Sequence, residues 1–178
     1  MRIIAGAWRG RAIEAPAGTG TRPTSDRTRE GLFSMLVSRI GTFEGLRVAD
    51  LFAGTGALGL EALSRGASHC TFVEREREAI AALQRNLARL GAGERADVRA
   101  QNVEHAPPPF PLCDILFMDP PYGSGLAQIA LDRAADWLAP HGWASIETNG
   151  EKLRIPEMLE TVAERRFGKA TIILMRRP

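Results

Sequence analysis

The chain has 178 residues, which is enough for one ordinary domain and too few for two full-sized ones. Hydrophobic residues make up 44% of it and charged residues 25%, a composition that excludes a mostly disordered protein. The 23 basic and 21 acidic residues leave a net charge of only +2. No apolar run approaches the roughly 20 residues that cross a bilayer, so no transmembrane helix is predicted.

The cysteines and the first residues bear on the compartment. Cys70 and Cys113 lie far apart, with no CxxC pattern and no clustered histidines, so we expect neither a disulfide framework nor a metal site. Arg2 comes before any long apolar stretch, which disfavours a secretory signal. We therefore expect a cytoplasmic protein.

Arginines are concentrated in the first 29 residues. They are Arg2, Arg9, Arg11, Arg22, Arg27 and Arg29, and only Glu14 and Asp26 oppose them. The planar guanidinium group suits phosphate and stacks on bases, so this segment suggests a nucleic-acid partner. Arginine also replaces lysine along most of the chain, so a merely solvated arm fits the same pattern. Charge alone supports the two interpretations equally.

The first 40 residues predict a hairpin, a loop and a helix. Residues 2–14 mix short β-compatible pieces with glycines, and residues 15–24 are rich in Gly, Pro and Thr. From Ser25 or Asp26, either one a good N-cap, apolar residues recur at helical spacing up to Ile40.

From residue 46 onward, buried strands alternate with amphipathic helices. The predicted strands are 46–51, 70–74, 97–101, 114–119 and 143–147, and the predicted helices are 58–65, 80–90 and 126–138. A short helix near 156–159 and a hairpin of 162–167 with 171–175 complete the pattern. This alternation predicts a doubly wound α/β fold, whose mostly parallel sheet is covered on both faces and carries an antiparallel addition at one edge.

A glycine pattern, G-x-G-x-x-G, lies between the first predicted strand and the following helix. Gly54 and Gly56 allow a tight turn and let a ligand approach the backbone. Glu74 ends the next strand, where a carboxylate accepts hydrogen bonds from ribose hydroxyls. This arrangement predicts an adenosine-containing cofactor without separating NAD from the others. A turn that only tightens strand–helix packing is the alternative.

Asp50 narrows the choice of cofactor. A carboxylate before the glycines suits a cationic amino or sulfonium group and suits pyrophosphate badly. The segment Asp-Leu-Phe-Ala-Gly-Thr-Gly at 50–56 resembles the first motif of the S-adenosylmethionine-dependent methyltransferases. The resemblance implies that the turn holds the methionine half, that Asp50 reaches its amino group and that Glu74 holds the ribose. It also implies that Asn102 lies beside the adenine, although an ordinary turn residue explains Asn102 equally well.

A second motif, Asp119-Pro120-Pro121-Tyr122, follows a buried strand at the edge where open α/β sheets bind ligands. It resembles the (Asp/Asn)-Pro-Pro-(aromatic) motif of methyltransferases that modify a planar nitrogen. Such a nitrogen is a poor nucleophile because its lone pair is delocalised. Hydrogen bonds to the Asp119 carboxylate and the Pro120 carbonyl would draw it toward tetrahedral geometry. Tyr122 would stack on a base presented unpaired.

The N-terminal segment narrows the choice of substrate. It contains Arg-Ile-Ile-Ala-Gly at 2–6, Arg-Gly-Arg at 9–11 and Thr-Arg-Pro-Thr-Ser-Asp-Arg-Thr-Arg-Glu at 21–30. Together with 50–67 and 119–122, these stretches resemble the bacterial small-subunit ribosomal RNA (guanine-N2)-methyltransferase D family, which modifies a guanine of 16S ribosomal RNA. The resemblance covers most of the chain through residue 150.

The resemblance implies a class I methyltransferase fold with a seven-stranded, mostly parallel sheet and a small N-terminal β-hairpin extension. We expect an arginine-rich arm over residues 1–24 and the methyltransferase domain over residues 25–178. S-adenosylmethionine is the implied donor, and the implied partner is 16S ribosomal RNA in an assembled or partly assembled small subunit. The candidate RNA contacts are Arg9, Arg11, Arg22, Arg27 and Arg29, which would grip phosphates without reading sequence.

Three alternatives stay open. An NAD-dependent oxidoreductase shares the glycine turn and Glu74, although Asp50 disfavours it and Leu126 stands where a Tyr-x-x-x-Lys pair starting at Tyr122 would need lysine. A methyltransferase of a protein glutamine or a DNA adenine shares the proline motif. A catalytically silent RNA-binding module would not need either motif intact.

Overall fold

A computed structural model describes residues 1–15 and 26–178, whose strands form a seven-stranded sheet. The strands are β1 Arg47–Leu51, β2 His69–Glu74, β3 Ala96–Ala100, β4 Cys113–Met118, β5 Leu138–Thr148, β6 Glu160–Phe167 and β7 Ala170–Arg176. The helices are α1 Asp26–Ile40, α2 Ala57–Ser64, α3 Arg77–Leu90 and α4 Leu126–Trp137, with a 3-10 helix at Gly93–Arg95. None of the helices in these two ranges is long and apolar enough to span a membrane.

The order across the sheet is β3-β2-β1-β4-β5-β7-β6. Strands β1 to β5 pair in parallel, and β7 runs antiparallel to both β5 and β6. Parallel neighbours need a crossover, which α2, α3 and α4 supply after β1, β2 and β4. The mostly parallel sheet with an antiparallel addition at one edge, predicted from the sequence, is confirmed.

Both faces of the sheet are covered, as the continuous apolar strands predict. Alternate residues of a strand point to opposite faces, and those of β4 belong to two different clusters. Ile115 and Phe117 pack with apolar residues of α1 and α2, whereas Leu116 and Met118 pack with the buried side of α4. The strands therefore have no water-exposed face along the centre of the sheet, which explains their uninterrupted apolar sequences.

Two predicted elements differ from the structure. The short helix expected near 156–159 is wrong: a single turn, in which Leu159 N–H donates to Pro156 O at 2.9 Å, is enough to bury Leu159. Strand β5 begins at Leu138, five residues before the predicted start. Cys113 of β4 pairs with Leu138 whereas Ile115 pairs with Trp143, so the extra residues form a bulge that the sequence pattern hides.

Residues 1–15 form the predicted hairpin, closed by an antiparallel bridge between Arg2 and Ala12. Its apolar side chains, Ile3, Trp8 and Ile13, are buried in the same cluster as α1 and α2. The hairpin is therefore part of the core of the protein. Of the loop predicted over residues 15–24, residues 16–24 lie outside the described residues, as does the proposed boundary between residues 24 and 25.

Helix α2 is the element on which the hairpin packs. The backbone N–H groups of Ile4 and Ala5 donate to the two carboxylate oxygens of Glu61 at 2.8 and 3.0 Å. Ser64 accepts from Trp8 N–H through its hydroxyl and from Ala7 N–H through its carbonyl. The hairpin thus supplies partners for the C-terminal end of a fully buried helix.

Candidate active site

A cleft of about 490 Å³ opens at the carboxyl edge of the sheet. Strand β1 leads to β2 on one side, whereas its other neighbour is β4, so the strand order reverses between β1 and β4. This is the position at which open α/β sheets form a ligand crevice. Residues of both sequence motifs line the cleft. Asp50 lies in β1 and Gly54 in the turn after it, whereas Asp119, Pro120 and Tyr122 follow β4.

The glycine turn is built from left-handed backbone conformations. Gly54 has φ +56° and Gly56 has φ +85°, values that side-chain-bearing residues rarely adopt. A Cβ on Gly54 would meet open space, whereas one on Gly56 would lie 2.4 Å from Leu83 Cδ1. Gly54 lines the cleft and Gly56 does not. Gly56 therefore shapes the turn and allows close packing on α3, while its role as a cofactor-binding residue stays a prediction.

Phe52 is a feature of this turn that the sequence does not reveal. It has φ 65°, a left-handed conformation uncommon for an aromatic residue, and it lines the cleft. Such strain persists where the surrounding structure holds it in place, and it concentrates at ligand sites. The glycine pattern locates the turn, but nothing in the pattern distinguishes Phe52 from an ordinary residue that follows β1.

Glu74 connects the end of β2 to the glycine turn. Its carboxylate accepts from the backbone N–H groups of Gly54 at 2.8 Å, Arg75 at 2.7 Å and Glu76 at 2.8 Å. These bonds fix the carboxylate at the cleft, where two lone pairs on each oxygen leave capacity for a ligand hydroxyl. Asn102, which follows β3, is exposed and lines the same cleft. The structure therefore brings the predicted ribose and adenine residues together.

Asp50 lines the cleft but is almost fully buried. Its Oδ2 accepts from Gly59 N–H in the first turn of α2 at 2.9 Å, so the carboxylate lies at the positive end of that helix. Burial raises the pKa of Asp50 from 3.8 to about 8; the Gly59 hydrogen bond opposes this shift, and the nearby Asp119 and Glu74 carboxylates add to it. A cation in the cleft would reverse the balance and favour the ionised form.

The proline motif continues directly from β4. Asp119 is half-buried, Pro120 is buried, and both line the cleft. The Tyr122 hydroxyl donates to Oε1 of Glu147 at 2.6 Å, and Glu147 also lines the cleft. Glu147 is not among the predicted site residues, although it ends the predicted strand 143–147, as Glu74 ends its own strand.

The cleft is strongly acidic although the chain carries a small positive charge. Its acidic lining residues are Asp50, Glu74, Glu76, Glu104, Asp119 and Glu147, and among the described residues Arg75 is the one basic side chain that lines it. A set of carboxylates with so little compensation attracts a cationic ligand and repels phosphate. The prediction that this site suits a sulfonium or amino group better than a pyrophosphate agrees with the lining.

The predicted RNA contacts divide into three groups. Arg9, Arg11 and Arg27 are exposed, and Arg11 donates to Arg89 O at 2.5 Å. Arg22 lies outside the described residues. Arg29 is fully buried, so the prediction that it contacts RNA is wrong.

Arg29 has a role within the fold. It donates to the Arg2 carbonyl and to Asp26 Oδ1, and its Nε lies 3.9 Å from Glu61 Oε2. Burial lowers the pKa of its guanidinium, and the Glu61 carboxylate opposes that shift. The arginine-rich sequence gave no signal that one of its members turns inward to join the hairpin, α1 and α2.

The family model described as Conserved hypothetical protein 95 matches residues 1–176. This chain belongs to that family. Ribosomal RNA small subunit methyltransferase D of Haemophilus influenzae is 38% identical over 175 residues, which cover 94% of this chain and 89% of that protein. The protein of the same name in Escherichia coli is 40% identical over 153 residues, covering 85% of this chain and 76% of that protein.

Solved structures have the same fold as this chain. The Escherichia coli protein yhhF superposes with a TM-score of 0.86 at 36% identity, covering 99% of this chain and 97% of that chain. An RNA methyltransferase from Salinibacter ruber, solved with S-adenosyl-L-homocysteine, superposes with a TM-score of 0.69 at 11% identity, covering 88% of this chain and 94% of that chain. At this identity the likeness concerns the fold alone. The predicted class I methyltransferase fold is confirmed.

Proposed function

We propose that this protein transfers a methyl group from S-adenosylmethionine to the exocyclic N2 of a guanine in 16S ribosomal RNA. The observation that carries the proposal is that the glycine turn and the Asp-Pro-Pro-Tyr motif line one cleft. Relatives named Ribosomal RNA small subunit methyltransferase D support ribosomal RNA as the substrate. The chemistry of the proline motif supports a planar, exocyclic nitrogen as the methyl acceptor, and the resemblance of the sequence to the small-subunit (guanine-N2)-methyltransferase D family supports guanine N2 as that nitrogen.

The residues of the cleft fit the proposed cofactor. When bound, S-adenosylmethionine supplies an electrophilic methyl group on a positively charged sulfur. Glu74, fixed by three backbone donors, would accept from the ribose hydroxyls, and Asn102 would lie against the adenine. Asp50, with its raised pKa, would ionise in the presence of the cationic methionine half. An acidic lining, with Arg75 as its one basic side chain among the described residues, favours this ligand over a dinucleotide.

The proline motif would prepare the nitrogen for attack. The Asp119 carboxylate and the Pro120 carbonyl would each accept a hydrogen bond from one N–H of the amino group and so weaken the delocalisation of the nitrogen lone pair into the ring. The prolines fix φ, so these acceptors need little reorganisation. Tyr122 would hold the base by stacking, and its hydroxyl is already fixed by Glu147. Once methylated, the nitrogen is strongly acidic, so Asp119 or water can take the proton.

The exposed arginines of the N-terminal segment are the proposed RNA contacts. Arg9, Arg11 and Arg27 are available at the surface, and Arg22 is proposed with them from its sequence. Because arginine–phosphate contacts carry no sequence information, the target base would be chosen by the shape of a ribonucleoprotein site. This favours an assembled or partly assembled small subunit in the cytoplasm as the partner.

Transfer of a tritiated methyl group tests the proposal. Small subunits from a strain that lacks this protein, naked 16S RNA, DNA and total protein would each be incubated with enzyme and labelled S-adenosylmethionine. We expect label in RNA of the subunit, at one guanine when the product is mapped as N2-methylguanine. Label only in DNA or protein, or binding of NAD in preference to S-adenosylmethionine, would refute the proposed function.

The Asp119→Ala variant tests the mechanism. Removal of a preorganised acceptor is expected to lower kcat by about 100-fold to 1,000-fold while cofactor binding persists. Asp136→Ala is the matched control, because Asp136 is exposed on α4 away from the cleft lining. Full turnover by Asp119→Ala would contradict the mechanism without touching the choice of substrate.

A further inference from the structure

Glu147 lies beside Asp119 at the carboxyl edge of the sheet. Strands β4 and β5 are parallel and pair Met118 with Ile146. The residues that come next, Asp119 after Met118 and Glu147 after Ile146, are therefore neighbours at the end of the pair. Both line the cleft and both are half-buried. Two carboxylates are therefore adjacent beside the proline motif, and in the proposed mechanism only Asp119 accepts a hydrogen bond from the base.

Tyr122 orients the second carboxylate. Its hydroxyl donates to Glu147 Oε1 at 2.6 Å, a short distance typical of a hydroxyl donating to an ionised group. Each carboxylate oxygen has two lone pairs, so this bond leaves acceptor capacity for a ligand. The tyrosine proposed to stack on the base therefore also holds the Glu147 carboxylate in place through its hydroxyl group.

Two adjacent acceptors match the donor pattern of guanine. Guanine carries N1–H directly beside its exocyclic N2 amine, so both positions donate. Adenine carries an unprotonated N1 beside its exocyclic amine, so its N1 lone pair would face a carboxylate that can only accept. A site built to accept a particular hydrogen bond rejects an analogue that lacks the donor far more strongly than an apolar pocket does.

We propose that Glu147 determines base specificity by accepting a hydrogen bond from N1–H of the target guanine, while Asp119 accepts from its N2 amine. This inference rests on the proposed function and deepens it. It gives a physical reason for this Asp-Pro-Pro-Tyr site to take guanine in preference to adenine, which the motif itself does not supply.

The test replaces the target guanine by 2-aminopurine, which keeps the exocyclic 2-amine but has no hydrogen on N1. The base would be placed at the mapped position by ligation of 16S RNA and reconstitution of the small subunit. We expect the wild type to prefer guanine by about 100-fold in kcat/KM, because a donor–acceptor match becomes a clash of lone pairs. In Glu147→Gln the amide can donate to N1, so the preference is expected to fall below about tenfold.

A purely structural role for Glu147 predicts a different result. Loss of Tyr122 positioning would slow both substrates by a similar factor and leave their ratio at the wild-type value, which would overturn the inference. Glu164→Gln, which changes an exposed glutamate of β6, is the matched control and should keep the wild-type ratio. Absence of wild-type methylation at any guanine would instead refute the proposed function, so the two failures are distinguishable.

Discussion

At the scale of single residues, Asp50 is an ionisable side chain that is almost fully buried. A buried carboxylic acid whose pKa is raised from 3.8 to about 8 is mostly protonated at pH 7. The sign of the linkage follows from this direction. The group favours the folded state fully below its unfolded pKa, and that contribution is lost as the pH rises from about 4 toward 8. A cationic ligand would restore it, because it favours the ionised form.

Cofactor affinity is therefore expected to increase with pH. Between pH 6 and 8 the affinity for S-adenosylmethionine should rise by up to about tenfold per pH unit and then level off, because binding releases the Asp50 proton. Calorimetry in two buffers of different ionisation enthalpy would measure this proton release. In Asp50→Asn, any dependence of affinity on pH that comes from the ligand's own ionisation should remain. The part that comes from the Asp50 carboxyl group should be lost. An identical pH profile in the two proteins would exclude Asp50 as the linked group.

The residues that the sequence predicts and those it misses differ in one physical respect. Asp50, Glu74 and Asp119 each lie at or directly after the carboxyl end of a buried apolar strand. The carboxyl ends of parallel strands meet at one edge of the sheet, so the convergence of these three residues can be predicted. Glu61 lies within an apolar helical pattern, and only the tertiary structure shows that hairpin N–H groups surround it. Arg29 likewise reads as one more surface arginine until its contacts are seen.

At the scale of elements, Glu61 joins three parts of the fold. Its two oxygens accept from the N-terminal hairpin and from Arg65, and it faces the buried guanidinium of Arg29. Removing one member of a buried charged network is costly because the remaining charge stays buried without compensation. The hairpin and α2 are therefore expected to lose stability together.

Glu61→Gln is expected to lower the free energy of unfolding by about 3 kcal/mol. The new amide group turns a donor toward a backbone N–H that also donates, and it removes the charge opposite Arg29. Urea unfolding would measure the loss, and hydrogen exchange should accelerate first at residues 3–8. Glu78→Gln, at an exposed position of α3, should change stability by less than about 0.5 kcal/mol. A similarly small effect of Glu61→Gln would show that the hairpin is held by apolar packing.

The predicted boundaries fail where tertiary context overrides local pattern. The start of β5 contains Pro140 and Gly142, which normally interrupt strands, and the structure accommodates them in the bulge opposite β4. Around Pro156 the apolar residues suggested one helical turn, but the burial of Leu159 needs only a tight turn. The long central strands and helices, whose periodicity extends over many residues, were predicted to within a few residues at each end.

At the scale of the whole molecule, the N-terminal hairpin and strand β6 are different surface elements. The hairpin contacts α3, which follows β2, and β6 forms one edge of the sheet. Each element carries two exposed arginines, Arg9 and Arg11 in the hairpin and Arg165 and Arg166 in β6. The two pairs carry the same charge, so they can be compared directly.

Replacing Arg9 and Arg11 together by alanine is expected to weaken binding of small-subunit RNA and to reduce the slope of log affinity against log salt by about 2. Binding measured at several salt concentrations would give both quantities. The Arg165→Ala, Arg166→Ala double variant removes the same charge from β6 and should have a smaller effect. Equal losses in the two double variants would mean that only net charge matters, and an unchanged affinity in the first would refute the hairpin as an RNA contact.

The acidic lining of the cleft has a consequence for how a nucleotide could enter. A nucleotide has a charged part, the sugar-phosphate chain, and a neutral part, the base. The lining carboxylates repel the charged part, whereas the exposed arginines outside attract it. Electrostatic sorting within one nucleotide would therefore favour entry of the uncharged ring as a flipped base over an extended strand threaded through the cavity.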